Sequence, residues 1–347
     1  MKIDILLVGF GNVARRFVTL LDESRDALTA LDIEPAIVGI VTRRHGGVYE
    51  AAGLDAVRAA RMLAEGGAVG PASSPSTLEW IARLRSQHAE TRAMVETTTL
   101  DIRSGEPAIS HVRAAFAAGA HVVTANKGPA AFAYGALARE ADAAGVSFLF
   151  EGAVMDGIPI LSFVRETLPA ATIRGFRGVV NTTTNHILNA LEQGESFDRS
   201  LADMQAAGVA EADPSLDLEG WDAAAKTAVL ANVWLDAKIT PREVRRQGVG
   251  PELADRARAA VAAGRRLKLV ARAGRRGGAI DAAVELLELD AHDPLAMLDK
   301  DSNALEIDSW PAGRIVITQR DSGLEKTAYA LLSDLVTVAN RAKRTSR

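Results

Sequence analysis

Gly9-Phe10-Gly11-Asn12-Val13-Ala14 follows the apolar run Ile3–Val8 and opens a helical pattern over Asn12–Asp22. The spacing is GxGxxA at a strand-to-helix turn. Gly9 would permit the tight turn, Gly11 would let a pyrophosphate approach the backbone and the helix N-terminus, and Ala14 would allow close helix–strand packing. A Gly-rich turn with no ligand is the plain alternative. The elements around the turn decide between the two.

Working outward, Ala36–Thr42 reads as a second strand, Ala93–Thr98 as a third, His121–Thr124 as a fourth and Ser147–Phe150 as a fifth. His111–Ala118 and Ala130–Ala144 read as helices between them. Strands alternating with helices imply parallel βαβ units, and so a Rossmann-type doubly wound parallel α/β sheet over residues 1–150. Arg43–Arg92 reads as an insertion, two helical patterns around the Gly-, Pro- and Ser-rich loop Gly66–Ser76. The second half changes character. A strand pattern at Ile173–Val180 precedes helical patterns at Thr183–Glu192, Asp198–Ala207 and Trp221–Leu235, then strand patterns at Leu267–Ala273, Ile280–Leu287 and Arg314–Thr318. This predicts an α+β domain over 151–319. The amphipathic last helix, Glu325–Ala342, is expected to return to the first domain, so that 320–347 joins 1–150.

Composition narrows the chemistry. The 347 residues suit two domains. Cysteine is absent, which excludes disulfides, thiolate metal sites and a cysteine nucleophile. Aromatics at 5% and a net charge of −4 argue against a nucleic-acid surface. The six histidines form no ligand-spaced cluster, which disfavours a metal hydrolase. The apolar run Ile5–Phe10 is too short for a signal peptide or a membrane span. A cytoplasmic small-molecule protein is the expectation.

The end of the second strand bears on the cofactor. Thr42-Arg43-Arg44 stands there, with no Asp or Glu between Pro35 and Tyr49. An acidic residue would bond the ribose 2′-hydroxyl of NAD, whereas a guanidinium pairs with a 2′-phosphate. NADP is therefore favoured over NAD, with solvated surface arginines as the alternative. Thr97 and Thr98 fall where ribose or pyrophosphate contacts belong.

Two lysines stand out. Lys127, in Thr124-Ala125-Asn126-Lys127-Gly128-Pro129, follows a parallel strand, where ligands sit beyond the carboxyl ends. A solvated loop lysine is its plain alternative. Lys226 lies in Trp221–Leu235, a helix apolar nearly all round and so expected to be buried. Asp222 and Lys226 are that segment's only charges and share one face. A surface ion pair suits a polar face, which this helix lacks. Charges in a buried helix are costly unless paired, and a lysine held there can serve as a general acid. Upstream runs an acidic string, Glu211, Asp213, Asp217 and Glu219, for which the alternative is a solvated loop with Asp213-Pro214 in a turn.

Together these residues resemble homoserine dehydrogenase. The resemblance covers most of the chain: the GxGxxA turn, HVVTANKGP (His121–Pro129), EGAVMDGIPI (Glu151–Ile160), VVNTTTNHIL (Val179–Leu188) and EADPSLDLEGWDAAAK (Glu211–Lys226). It implies reduction of L-aspartate 4-semialdehyde to L-homoserine with NADH or NADPH, in the route to threonine and methionine. It implies Lys226 as proton donor and Lys127 as a second lysine of the site, also near the cofactor held by Gly9, Gly11, Asn12, Val13, Arg43, Thr97 and Thr98. Glu211, Asp217 and Asp222 would hold the substrate's ammonium or organise the lysine. A monovalent cation such as sodium would sit on Glu151 and the carbonyls of Val154, Asp156 and Ile158. A homodimer through the second domain's sheet, about Leu267–Thr318, is implied as well. The chain departs from the family pattern at Thr182 and His186 (family Gly and Tyr), at Val209 (family Tyr) and at Gln319–Gly323 (family Gly-rich turn). Rival readings are a related NAD(P)-dependent oxidoreductase for another small carbonyl or amino-acid substrate, and an NAD(P)-sensing protein without chemistry. The second predicts loss of the lysines, and both are present.

Overall fold

Strand β1 (Lys2–Val8) is buried along its whole length after Lys2, as a central parallel strand covered on both faces must be. The structure, a computed structural model, describes residues 1–71, 75–206, 210, 213–321 and 323–345. Beside β1 lie β2 (Glu34–Val41), β3 (Gly47–Tyr49), β4 (Thr91–Glu96), β5 (His121–Thr124) and β6 (Phe148–Leu149). They form a six-stranded sheet in the order β3-β2-β1-β4-β5-β6. All pairings are parallel except β2 with β3. The order reverses at β1, between β2 and β4, which places the crevice beyond the carboxyl ends of these strands. The insertion carries the expected helices at Ala56–Ala64 and Thr77–Ala82, and also the short antiparallel β3.

The helix Leu324–Thr345 belongs to this same unit. Its stripe Ala328, Leu331, Leu332, Leu335, Val338 and Ala339 enters the core formed by Ile3, Ile5, Leu7 and Phe17. The segment Glu151–Gly157 packs on it: the Glu151 amide donates to Asp334 Oδ2 at 2.8 Å. A Cβ on Gly157, where φ is +85°, would fall 2.3 Å from the Lys326 carbonyl oxygen. One compact unit comprises Met1–Pro129, Ala133–Pro159 and Leu324–Arg347, and the other Ala130–Phe132 and Ile160–Gly323.

The other unit holds a second six-stranded sheet, from β7 (Thr172–Val179), β8 (Arg245–Arg246), β9 (Arg265–Arg276), β10 (Ala279–Asp290), β11 (Asn303–Trp310) and β12 (Gly313–Gln319), in the order β12-β11-β7-β9-β10-β8. Its long pairings are antiparallel. Gly277 and Gly278, both with positive φ, make the two-residue turn of the β9–β10 hairpin. The helices Thr182–Glu192 and Trp221–Leu235 both pack on β9. Trp234 meets Phe176 edge-on at a centroid distance of 5.8 Å.

Candidate active site

The first part of the site is the turn after β1. The Gly9 amide donates to Val41 O at 2.9 Å, and Thr97 N donates to Val8 O at 2.8 Å. A Cβ on Gly9, where φ is +88°, would lie 2.8 Å from the Thr97 carbonyl carbon, so only glycine fits. A Cβ on Gly11 would meet nothing within 4 Å. Gly11 is the N-cap of helix Asn12–Glu23 and gives its first amides no side-chain cap. Those amides and the open space beside Gly11 suit an anion.

A cleft of about 640 Å³ opens there, lined among others by Gly9, Gly11, Arg43, Thr97 and Thr98. Five of the sequence-derived cofactor residues thus meet at one cleft, which also takes in Arg15, Arg44, His45 and His111. Asn12 and Val13 form the first turn of the helix behind it. Lys127 stands half-buried as N-cap of helix Gly128–Ala144.

Beneath Thr98 lies a buried carboxylate the sequence reading did not single out. Glu96 Oε1 accepts from Thr98 N at 3.0 Å and from the Thr98 hydroxyl, and Oε2 accepts from Thr124 Oγ1 at 2.8 Å. Thr124 in turn accepts from Asn126 N at 2.9 Å, and Asn126 Oδ1 accepts from Gly128 N at 2.8 Å. This chain fixes the loop that carries Lys127.

In the other compact unit, a separate cluster lies at the end of β7. Lys226, 8% exposed, donates from Nζ to Val180 O at 2.6 Å and pairs with Asp222 Oδ2 at 2.9 Å. Asn181 Nδ2 bridges Asp217 Oδ1 at 2.8 Å and Asp222 Oδ2 at 3.0 Å. Burial, then the charge of Asp222, pushes the Asp217 carboxyl above its ordinary value, against hydrogen bonds from Asn181 and Thr183 and the charge of Lys226. The helix can begin at Trp221 because Gly220 takes φ +78°; a Cβ there would lie 2.6 Å from the Gln247 carbonyl oxygen.

Not all of the acidic string converges. Asp213 is exposed and accepts from Ser215 N at 3.1 Å, the turn its Asp-Pro pair suggested. Glu219 is exposed and accepts from Trp221 Nε1 at 3.2 Å. Glu211 and Val209 lie outside the described residues, as does Ser322 in the Gln319–Gly323 departure. His186 meets Asp301 Oδ1 at 3.0 Å through Nδ1, a satisfied helix histidine. Thr182 accepts from Asn303 Nδ2 at 2.9 Å.

Asn181 is the residue of this cluster that the sequence reading passed over. Its signal was available: an Asn directly before a helical run is a preferred N-cap. Its Oδ1 accepts from Thr184 N at 2.9 Å, so it caps Thr182–Glu192 while its amide nitrogen faces the carboxylates.

A further candidate segment is Glu151–Ile158. Glu151 is 3% exposed, and Met155, Asp156 and Gly157 all take positive φ. Among the described residues no three His, Asp or Glu side chains cluster as metal ligands.

Comparisons with known proteins show the family. The family model described as homoserine dehydrogenase matches residues 159–336. An NAD(+)-dependent homoserine dehydrogenase of Pseudomonas canavaninivorans is 36% identical over 343 residues, 98% of this chain and 97% of that protein. A homoserine dehydrogenase of Methanocaldococcus jannaschii is 31% identical over 98% of this chain and 100% of its own. The crystal structure of a homoserine dehydrogenase from Thiobacillus denitrificans is similar at a TM-score of 0.81 and 29% identity, covering 97% of this chain and 73% of that one. With an open glycine turn in one unit and a buried, carboxylate-paired lysine in the other, the chain belongs to the homoserine dehydrogenase family of NAD(P)-dependent oxidoreductases.

Proposed function

We propose that the chain reduces L-aspartate 4-semialdehyde to L-homoserine with NADPH, that Lys226 donates the proton, and that Asp217 and Asp222 serve the substrate's ammonium and the lysine. The observation that carries the reading is the Lys226 ammonium, held in an apolar helix by Asp222 and the Val180 carbonyl. The bound nicotinamide would supply the hydride. As the aldehyde oxygen gains negative charge, an ammonium beside it stabilises that charge and gives up a proton. Lys127 would be the second lysine of the site, on the loop fixed through Glu96. Glu211 is proposed with Asp217 and Asp222 on resemblance alone.

Gly9, Gly11, Thr97 and Thr98 would hold the nucleotide's pyrophosphate and ribose, with Asn12 and Val13 supplying helix amides. Arg43 and Arg44, exposed at the cleft, would take the 2′-phosphate of NADP. The relative named NAD(+)-dependent favours a second reading, NAD. Glu151 with the carbonyls of Val154, Asp156 and Ile158 is an all-oxygen donor set with one formal charge, suited to a hard monovalent cation such as sodium. Those residues would hold the ion, which would brace the loop on Leu324–Thr345. Residues 1–150 with 320–347 would serve the nucleotide, and 151–319 the substrate and dimer contacts.

A homodimer through the second sheet is supported by the exposure of Trp310 and Val316 on β11 and β12. Among the described residues no helix is long and apolar enough to cross a membrane, and a cytoplasmic location is proposed with it.

The test is purified protein with aspartate semialdehyde and each reduced cofactor, following nicotinamide absorbance. Turnover faster with NADPH than NADH supports the reading, and the reverse supports NAD. No turnover with either overturns the assigned substrate.

A further inference from the structure

The last two residues of the β7 exit, Val180 and Asn181, grip the whole Lys226 cluster. Val180 O accepts from the ammonium, and Asn181 touches both carboxylates. The orientation of the Asn181 amide is fixed by its surroundings. Its Oδ1 accepts from Thr184 N at 2.9 Å and Thr184 Oγ1 at 3.0 Å, so the nitrogen must face Asp217 and Asp222. Asp222 Oδ2 therefore receives two donors, Lys226 Nζ at 2.9 Å and Asn181 Nδ2 at 3.0 Å.

We propose that Asn181 is a positioning residue for the reduction: by sharing Asp222 with Lys226 and holding Asp217 alongside, it keeps the lysine proton transferable. The proposal rests on the reading of Lys226 as proton donor. A carboxylate oxygen that already accepts one hydrogen bond is a weaker base toward its second donor. With Asn181 in place, Asp222 anchors the ammonium without retaining its proton. The bridge also gives each carboxylate a donor, which favours the ionised form of both. Among the described residues the charged groups facing Asp217 are Asp222 and Lys226, both from helix Trp221–Leu235, while Asn181 and Thr183 face it as neutral donors. Loss of the amide donors raises the proton affinity of both carboxylates. The acid limb of the kcat/KM profile then moves to higher pH.

Asn181→Asp keeps the oxygen that accepts from Thr184 and loses both N–H donors, while its added carboxylate pushes the limb further the same way; Asn181→Ala loses the donors without adding charge. Thr184→Ala keeps the capping backbone N–H and the bridge, and removes only the hydroxyl that donates to Asn181 O and Oδ1. Asn181→Asp should lower kcat about tenfold, raise the acid limb by about one pH unit, and leave the KM for nucleotide unchanged. Thr184→Ala should lower the Tm with the limb in place. Asn181→Ala, which drops the cap as well, must show a limb shift in the same direction on a lower Tm. A wild-type limb in both Asn181 variants overturns the proposal, and so does an equal limb shift in Thr184→Ala. Lys226→Ala, run alongside, distinguishes the two failures: if it retains turnover, it is the proton-donor reading that fails.

Discussion

Asp222 Oδ2 stands 2.9 Å from Lys226 Nζ, one turn apart on a helix whose residues Ala223–Asn232 are all buried. Such a pair is weak evidence for stability, since desolvation can exceed the mutual attraction. Its presence in an apolar helix is better accounted for by chemistry. Lys226→Ala should therefore lower kcat by about a thousandfold, while NADPH titrated by fluorescence binds as before. Near-wild-type turnover would remove Lys226 from the acid role.

The arginines after β2 set a second expectation. Arg43→Ala should raise the KM for NADPH about tenfold, the scale of one lost charge-assisted contact, and leave that for NADH nearly unchanged. An equal rise for both cofactors would show that Arg43 does not read the 2′-phosphate.

The two glycines of the turn should part company. Gly9→Ala places a Cβ 2.8 Å from Thr97 in a backbone conformation that alanine resists, and should cost about 2 kcal/mol or more in urea unfolding. Gly11→Val has open space and should leave stability within about 0.5 kcal/mol. It should nonetheless weaken nucleotide binding, because the added methyls fill the approach to the first helix amides. A Gly11 variant that binds nucleotide normally would show that the pyrophosphate lies elsewhere.

Acid stability should report on His121. Burial, then the charges of Arg341 and Arg92, lowers its pKa from 6.5 to about 4, and its Nδ1 accepts from Ser147 N at 2.9 Å. The folded state thus holds the neutral ring. The stability it contributes is full above about pH 6.5 and is lost as pH falls through about 4. About 3 kcal/mol should disappear over that window. His121→Asn, which retains an acceptor for the Ser147 amide, should flatten the dependence in pH-jump denaturation. An unchanged slope would assign the acid loss to other groups.

Legibility followed burial pattern. β1 and β5 are short and mostly apolar, and could be placed to within a residue even though β1 carries Asp4. Trp221–Leu235 was readable from its missing polar face. By contrast β11, Asn303–Trp310, was missed because Glu306 and Asp308 interrupt the run. Glu306 pairs there with Arg177 Nη2 at 2.7 Å, a partner on the neighbouring strand β7 that no local pattern shows. The three-residue β3 is too short for periodicity to register. Within the site, spacing along one helix brought out Asp222 and Lys226. Asn181 and Glu96 went unassigned, because their partners lie tens of residues away in sequence.

The helix Leu324–Thr345 completes a core begun by the first strand. During synthesis the first sheet should therefore wait, with Ile3, Ile5 and Leu7 made early, until more than three hundred residues later the stripe that covers them leaves the ribosome. The intervening unit has its own sheet and can fold in the meantime. Nascent chains stalled before Leu324 should be the ones that chaperones hold, and binding of nucleotide should begin only once that helix is released.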